Sequence, residues 1–166
     1  MPITYAGLPV LSLILASCVA GLLIIVLLPD ERDDLVKGVS AAFSGITLLF
    51  SVYLFLAYDR ELGGLQFVER VAWIPSLGIN YFNGVDGFSL PNLLLTGIVF
   101  FTGVLTMWEL KTRVKEFFAL YFLLVTGVFG LFMSLDLFFI FVWYDVSLFP
   151  MYLLIAVWGT TRKEYA

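Results

Sequence analysis

The chain has 166 residues, 61% hydrophobic, 17% aromatic and 13% charged, with 13 acids against 9 bases for a net charge of −4. Soluble domains carry roughly 45–50% apolar and 25% charged residues, so this balance describes a polytopic membrane protein. There is no histidine and one cysteine, Cys18, which excludes imidazole proton relays, His-based metal or haem ligation, an internal disulfide and an iron–sulfur site. No basic patch with interleaved aromatics suggests nucleic-acid binding. No cofactor, metal or small-molecule substrate is expected on this chain.

Leu8 to Leu28 is the first apolar run, long enough to cross a hydrocarbon core that needs about 20 helical residues. Leu15-Ala16-Ser17-Cys18 resembles a lipoprotein cleavage box, but no Lys or Arg precedes it and the apolar run continues beyond the cysteine. An uncleaved helix fits better. The pairs Ala16/Ala20 and Ser17/Gly21 would let another helix approach closely. Pro29 and the charged link Asp30 to Asp34 end the run. Gly38 to Ala57 is the second expected span, with Ser44, Gly45, Thr47 and Ser51 as its small and polar members. Hydroxyls in membrane helices bond their own i−4 carbonyls, so these residues read as packing.

Tyr58 to Gly87 is the longest extramembrane segment. Leu65, Phe67, Val71 and Trp73 recur with period two ahead of Pro75-Ser76-Leu77-Gly78 and Ile79 to Gly84, a pattern that predicts a short β-hairpin lying flat on the protein. Its aromatics Phe67, Trp73, Tyr81 and Phe82 suit the membrane interface, a neighbouring subunit or a lid over the chain's own helices. Residues 89–108 form the third span, with Ser89 or Asp86 as N-cap and Pro91 in the first turn. The fourth span covers 117–133, and a tight turn at Ser134 to Asp136 makes it the antiparallel neighbour of the fifth, 135–158. The predicted fold is thus all-α, with five transmembrane helices in one membrane domain and an extramembrane hairpin segment (58–87) between helices 2 and 3.

Alternation of the spans puts Arg60 and Arg70 on the N-terminal side, and Arg32, Lys37, Lys111, Arg113, Lys115, Arg162 and Lys163 on the other. Seven against two predicts the N-terminus outside and the C-terminus in the cytoplasm, for a multi-pass chain expected in the inner (cytoplasmic) membrane.

The fifth span carries Asp145 close to its middle and Pro150 five residues later. An aspartate at the centre of a membrane helix costs about 2.5–3.5 kcal/mol on the insertion scale, so such a residue faces protein or water and marks a functional site by default. Pro150 removes the N–H that would bond the carbonyl of Val146, loosening an acceptor beside the acid. Desolvation favours a protonated carboxylate and a nearby cation favours the charged one, so a switchable cation lets such an acid take up and release a proton. All nine Lys and Arg residues fall in expected loops or the C-terminal tail, leaving no cation in the spans to pair with Asp145. Tyr152, seven residues on, is a possible hydrogen-bond partner that would instead give the acid a fixed structural role. Glu109 and Asp136 read as interfacial, and Trp143 and Tyr144 as packing or belt aromatics.

The stretch Asp145-Val146-Ser147-Leu148-Phe149-Pro150-Met151-Tyr152, continuing to Trp158-Gly159 and Arg162 to Ala166, resembles the fifth helix of subunit M of NADH–quinone oxidoreductase (complex I). Gly84-Val85-Asp86-Gly87-Phe88-Ser89 is similar to the same family's approach to its third helix. The resemblance implies an antiporter-like subunit that takes part in proton translocation, coupled to electron transfer from NADH to quinone in other subunits. It places Asp145 where the family carries a glutamate paired with a lysine on the seventh helix, and it implies partners among the other membrane-arm subunits. This chain would then be the N-terminal five-helix part of a subunit with about fourteen helices. An Mrp-type cation/proton antiporter or membrane-bound hydrogenase subunit is an alternative within transport; a structural membrane subunit that transports nothing is the alternative outside it.

Overall fold

The computed structural model describes residues 3–5, 9–29 and 32–159. Arg162 and Lys163, counted above for orientation, lie outside them, as does the start of the first expected span at Leu8. Five helices follow in order: α1 (Val10–Leu27), α2 (Asp33–Ala57), α3 (Ser89–Thr106), α4 (Val114–Met133) and α5 (Leu137–Trp158). With the 3-10 turn that prolongs α3 to Glu109, all five are long and apolar enough to cross a membrane. Between α2 and α3 stand strands β2 (Leu65–Ile74) and β3 (Ile79–Val85), while β1 (Ile3–Tyr5) precedes α1.

Two helix starts differ from expectation for the same reason. α2 begins at Asp33, five residues before Gly38, and α4 at Val114, three before Phe117. Asp33 and Asp34 occupy the first turn of α2 and Glu116 that of α4, where the positive end of the helix dipole favours acids. A charged first turn lengthens each helix beyond its apolar run. Lys37 and Lys115 therefore lie within helices rather than loops, in the opening turns. Lys115 donates to the carbonyl of Leu28 (2.7 Å), placing a cation at the C-terminal end of α1, as the dipole favours.

The core is aromatic. Phe100, Phe118, Phe122 and Phe129 are fully buried, and Phe100 meets Phe122 edge to face with centroids 4.7 Å apart. α1 packs on α4 through Gly21, where an added Cβ would lie 2.4 Å from a ring carbon of Phe122. Of the two small pairs in α1, Ser17/Gly21 is therefore the buried one, whereas Ala16 is exposed. Ser40, Ser44, Thr47 and Ser51 make a buried row along α2, each bonded to its own helix's carbonyls. Thr47 also meets Ser17 at 2.8 Å, beside the buried Cys18. These hydroxyls are interhelical packing groups, as expected.

β2 and β3 form the expected antiparallel hairpin, with Arg70 opposite Phe82 and Ala72 opposite Asn80. The turn is a 3-10 segment, Pro75–Leu77, closed by Gly78 at φ 70°. β1 adds a parallel edge to β2, giving the order β1-β2-β3. The alternation predicted for β2 is corrected. Gln66 and Val68 are its buried residues, whereas Val71 and Trp73 are 61% and 59% exposed. The register shifts between Gln66 and Glu69, where Phe67 adopts φ 53°. The irregularity disrupts the ladder locally, and residues 70–73 are all exposed, without alternation.

Candidate functional site

α1, α3 and α5 begin on the same side of the bundle, the side that carries the hairpin, and a carboxylate receives each N-terminus. Pro9 at the start of α1 offers no side-chain acceptor. Glu69 of β2 replaces it, accepting from the N–H of Leu11 (2.9 Å) and of Ser12 (3.1 Å) and from the Ser12 hydroxyl. Tyr81 of β3 reaches the same hydroxyl at 2.9 Å. Asp86 caps α3 through the N–H groups of Ser89 (2.7 Å) and Phe88 (3.2 Å), so Asp86 rather than Ser89 is the acceptor at this end. The bond from the Ser89 backbone is the main reason the Asp86 carboxyl is held below the usual range. Burial, then the charges of Asp86 and Asp59, push the neighbouring Tyr58 hydroxyl up.

Asp136 begins α5. One carboxylate oxygen accepts from the N–H of Phe138 (2.9 Å) and the other from the N–H of Asn80 in β3 (3.0 Å). Beside it the Leu135 N–H donates to the carbonyl of Phe82 (2.8 Å), and the Ser134 hydroxyl donates to the Asn83 side chain at 3.4 Å. The ring of Phe139 lies 5.0 Å from Trp73 and 5.7 Å from Tyr81. The hairpin is therefore a lid over its own helices, and Trp73 and Tyr81 pack there.

α5 runs through Pro150 without a break. It rests on α4 through Trp143, Ser147 and Trp158. The approach is closest at two glycines of α4: an added Cβ at Gly127 would lie 2.7 Å from the Ser147 nitrogen, and one at Gly130 would lie 2.2 Å from the Trp143 indole. The far end is fixed by the Trp158 indole, which donates to the carbonyl of Thr112 (3.0 Å) and stacks edge-on against Phe117.

Asp145 lies on the opposite face, together with Phe141, Leu148 and Tyr152, all four exposed. Among the described residues its carboxylate meets no donor and no cation. Asp145 and Tyr152 share a face, as the spacing implies, but seven residues of helix separate them by roughly 10 Å along the axis. No hydrogen bond joins them among the described residues, and Tyr152 is 65% exposed. Pro150 turns the other way and is buried on the α4 side. Asp145 therefore stands mid-helix on a face the other four helices leave uncovered.

No protein-family model matches the chain. Among curated proteins it is 32% identical over 160 residues to NAD(P)H-quinone oxidoreductase chain 4 1 of Nostoc sp., a match covering 95% of this chain and 30% of that protein. It is 36% identical over 159 residues to the chloroplastic chain 4 of Chara vulgaris, covering 95% and 32%. Over nearly its whole length the chain is a homologue of part of NAD(P)H-quinone oxidoreductase chain 4. It spans about 30% of the length of these chain 4 relatives. Among solved structures, a chain of respiratory complex I from Thermus thermophilus with bound NADH matches 94% of this chain and 30% of its own length, with TM-score 0.76 and 25% identity. This corresponds to the subunit M resemblance read from the fifth span.

The Glu69 and Asp136 contacts were not foreseen from the chain 4-like sequence. Their partners lie 57 and 56 residues away, and the local signals are no more than one acid in the hairpin and another at a helix start. β1 was missed as well, since three residues are too few to carry a period.

Proposed function

We propose that the chain is part of the membrane arm of an NADH–quinone oxidoreductase and takes part in proton translocation, with Asp145 as the acid of the proton path. The observation that carries this reading is the position of Asp145, mid-span on the face of α5 that the other four helices leave bare. A carboxylate there is costly against lipid and acceptable against protein or water, so the bare face belongs to further membrane helices. The chain 4 relatives are about three times as long. The cation that would switch Asp145 then comes from a helix beyond these five, in a subunit whose N-terminal part this chain represents. Pro150 adds an unbonded Val146 carbonyl near the acid, an acceptor for water.

The hairpin side, with Arg60 and Arg70, is the outer one, and the side of Arg32, Lys37, Lys111, Arg113 and Lys115 is cytoplasmic. The other membrane-arm subunits are the partners, and NADH oxidation and quinone reduction belong to them and to the peripheral subunits. The test is purification of the tagged chain from native membranes. Flavin and iron–sulfur absorbance with NADH–quinone activity in the same fraction is the expected result. A particle of membrane subunits alone would favour an antiporter and overturn the assignment.

A further inference from the structure

α5 buries only Phe139 and Pro150 and, of the other helices, packs chiefly on α4. Its depth and rotation are therefore set at few places: the Gly127/Gly130 crossing, the Trp158 end, and the end held by the hairpin. The last is the most heavily bonded. Asp136 accepts from Phe138 inside α5 and from Asn80 in β3, Leu135 adds a backbone bond to Phe82, and Phe139 sits between Trp73 and Tyr81. The hairpin is in turn fastened to the start of α1 by Glu69, through two backbone N–H groups and the Ser12 hydroxyl. The α1 and α5 N-termini are thereby joined through β2 and β3.

We propose that Asp136 is a positioning residue for Asp145: by bonding α5 and the hairpin at once, it sets the depth and rotation at which α5 presents Asp145. Asp145 follows Asp136 by nine residues, roughly 13 Å of helix, so a tilt or turn at the capped end is carried to the acid by a rigid element. A shift of about 1 Å at a reacting group can change a rate by about 10²-fold. This inference rests on the proposed role of Asp145. It assigns Asp136 more than the interfacial place the sequence suggested, and it gives the hairpin a task within its own chain.

The deciding variant is Asp136→Ser in the assembled complex. A serine hydroxyl still accepts from the first turn of α5 but is too short to hold Asn80 as well, so the cap survives and the clasp does not. Hydrogen exchange of the amides of residues 79–83 should accelerate by about tenfold or more, because each depends on a bond to a charged acceptor or on its neighbours. The infrared carboxyl band that disappears in Asp145→Asn should shift in Asp136→Ser, and protons pumped per electron should fall several-fold. Unchanged exchange at 79–83 would show that there is no clasp. Faster exchange with an unmoved band and native pumping would show a clasp that positions nothing. Native pumping in Asp145→Asn would remove the acid's role itself, and that result is separate from the exchange measurement.

Discussion

The α4–α5 crossing allows a quantitative test through Gly127. A Cβ at this position would lie 2.7 Å from the backbone nitrogen of Ser147, 2.8 Å from its Cβ and 2.9 Å from its Cα. No rotamer change can relieve a clash with backbone, so α5 must retreat by about 0.7 Å to restore ordinary contact, which is overpacking of the kind that costs about 1–3 kcal/mol. Two glycines of α2 supply controls. At Gly45 the nearest atom would be a Phe101 ring carbon at 3.6 Å, and at Gly38 nothing lies within 4 Å. Gly45→Ala should be near neutral, and Gly38→Ala should stabilise by about 0.4–1 kcal/mol through loss of backbone freedom in the unfolded chain. Thermal unfolding of the detergent-solubilised complex, with the yield of assembled particles alongside, separates the three. Equal tolerance of Gly127→Ala and Gly45→Ala would refute the close crossing that holds α5 in place.

Glu69→Ala should destabilise the α1 end by about 0.5–2 kcal/mol, the range for a lost N-cap, seen as faster hydrogen exchange at Leu11 and Ser12; unchanged exchange there would contradict the assignment of Glu69 as cap. Asp86→Ala should cost about 1 kcal/mol at neutral pH by the same logic. Because the fold holds the Asp86 carboxyl below its ordinary value, its contribution is complete above the unfolded carboxylate range and disappears as pH falls through the folded value. The difference in melting temperature between the native chain and Asp86→Ala should therefore narrow on acidification; a difference that stays constant or widens as the pH falls through the carboxylate range would refute it. Lys115→Met should loosen the end of α1 at Leu28, detected as faster exchange of the last turn of α1 with little change at Leu11.

The five spans were legible because each is an apolar run of bilayer length, and the turn of the hairpin because Pro75 and Gly78 are turn residues. Where the reading failed, the cause was local backbone geometry or distance in sequence. The strand is irregular at Phe67 and exposed on both faces over residues 70–73, which no side-chain period reveals. Acidic first turns extend α2 and α4 beyond their apolar stretches. Asp145 was singled out by its cost in a membrane, and that argument needs no structure; its outward orientation on α5 was not available from the sequence, because a helix hydrophobic all round does not declare which side it packs. Tyr152 was matched to Asp145 by angle alone, and the helical rise separates them. Glu69 and Asp136 show the complementary limit: both look like ordinary surface acids until the chain folds and brings the α1 N-terminus to Glu69 and Asn80 of β3 to Asp136.

The most direct measurement is proton pumping by the assembled complex in sealed vesicles with Asp145→Asn and Asp145→Glu compared side by side. Asparagine keeps the shape and cannot carry the proton, whereas glutamate keeps the acid and supplies the longer arm that the family resemblance implies. If Asp145 is the proton-path acid, Asp145→Asn assembles but pumps about tenfold less or worse, and Asp145→Glu pumps at close to the native rate. Native pumping by a fully assembled Asp145→Asn complex would contradict the account and leave the aspartate a structural residue.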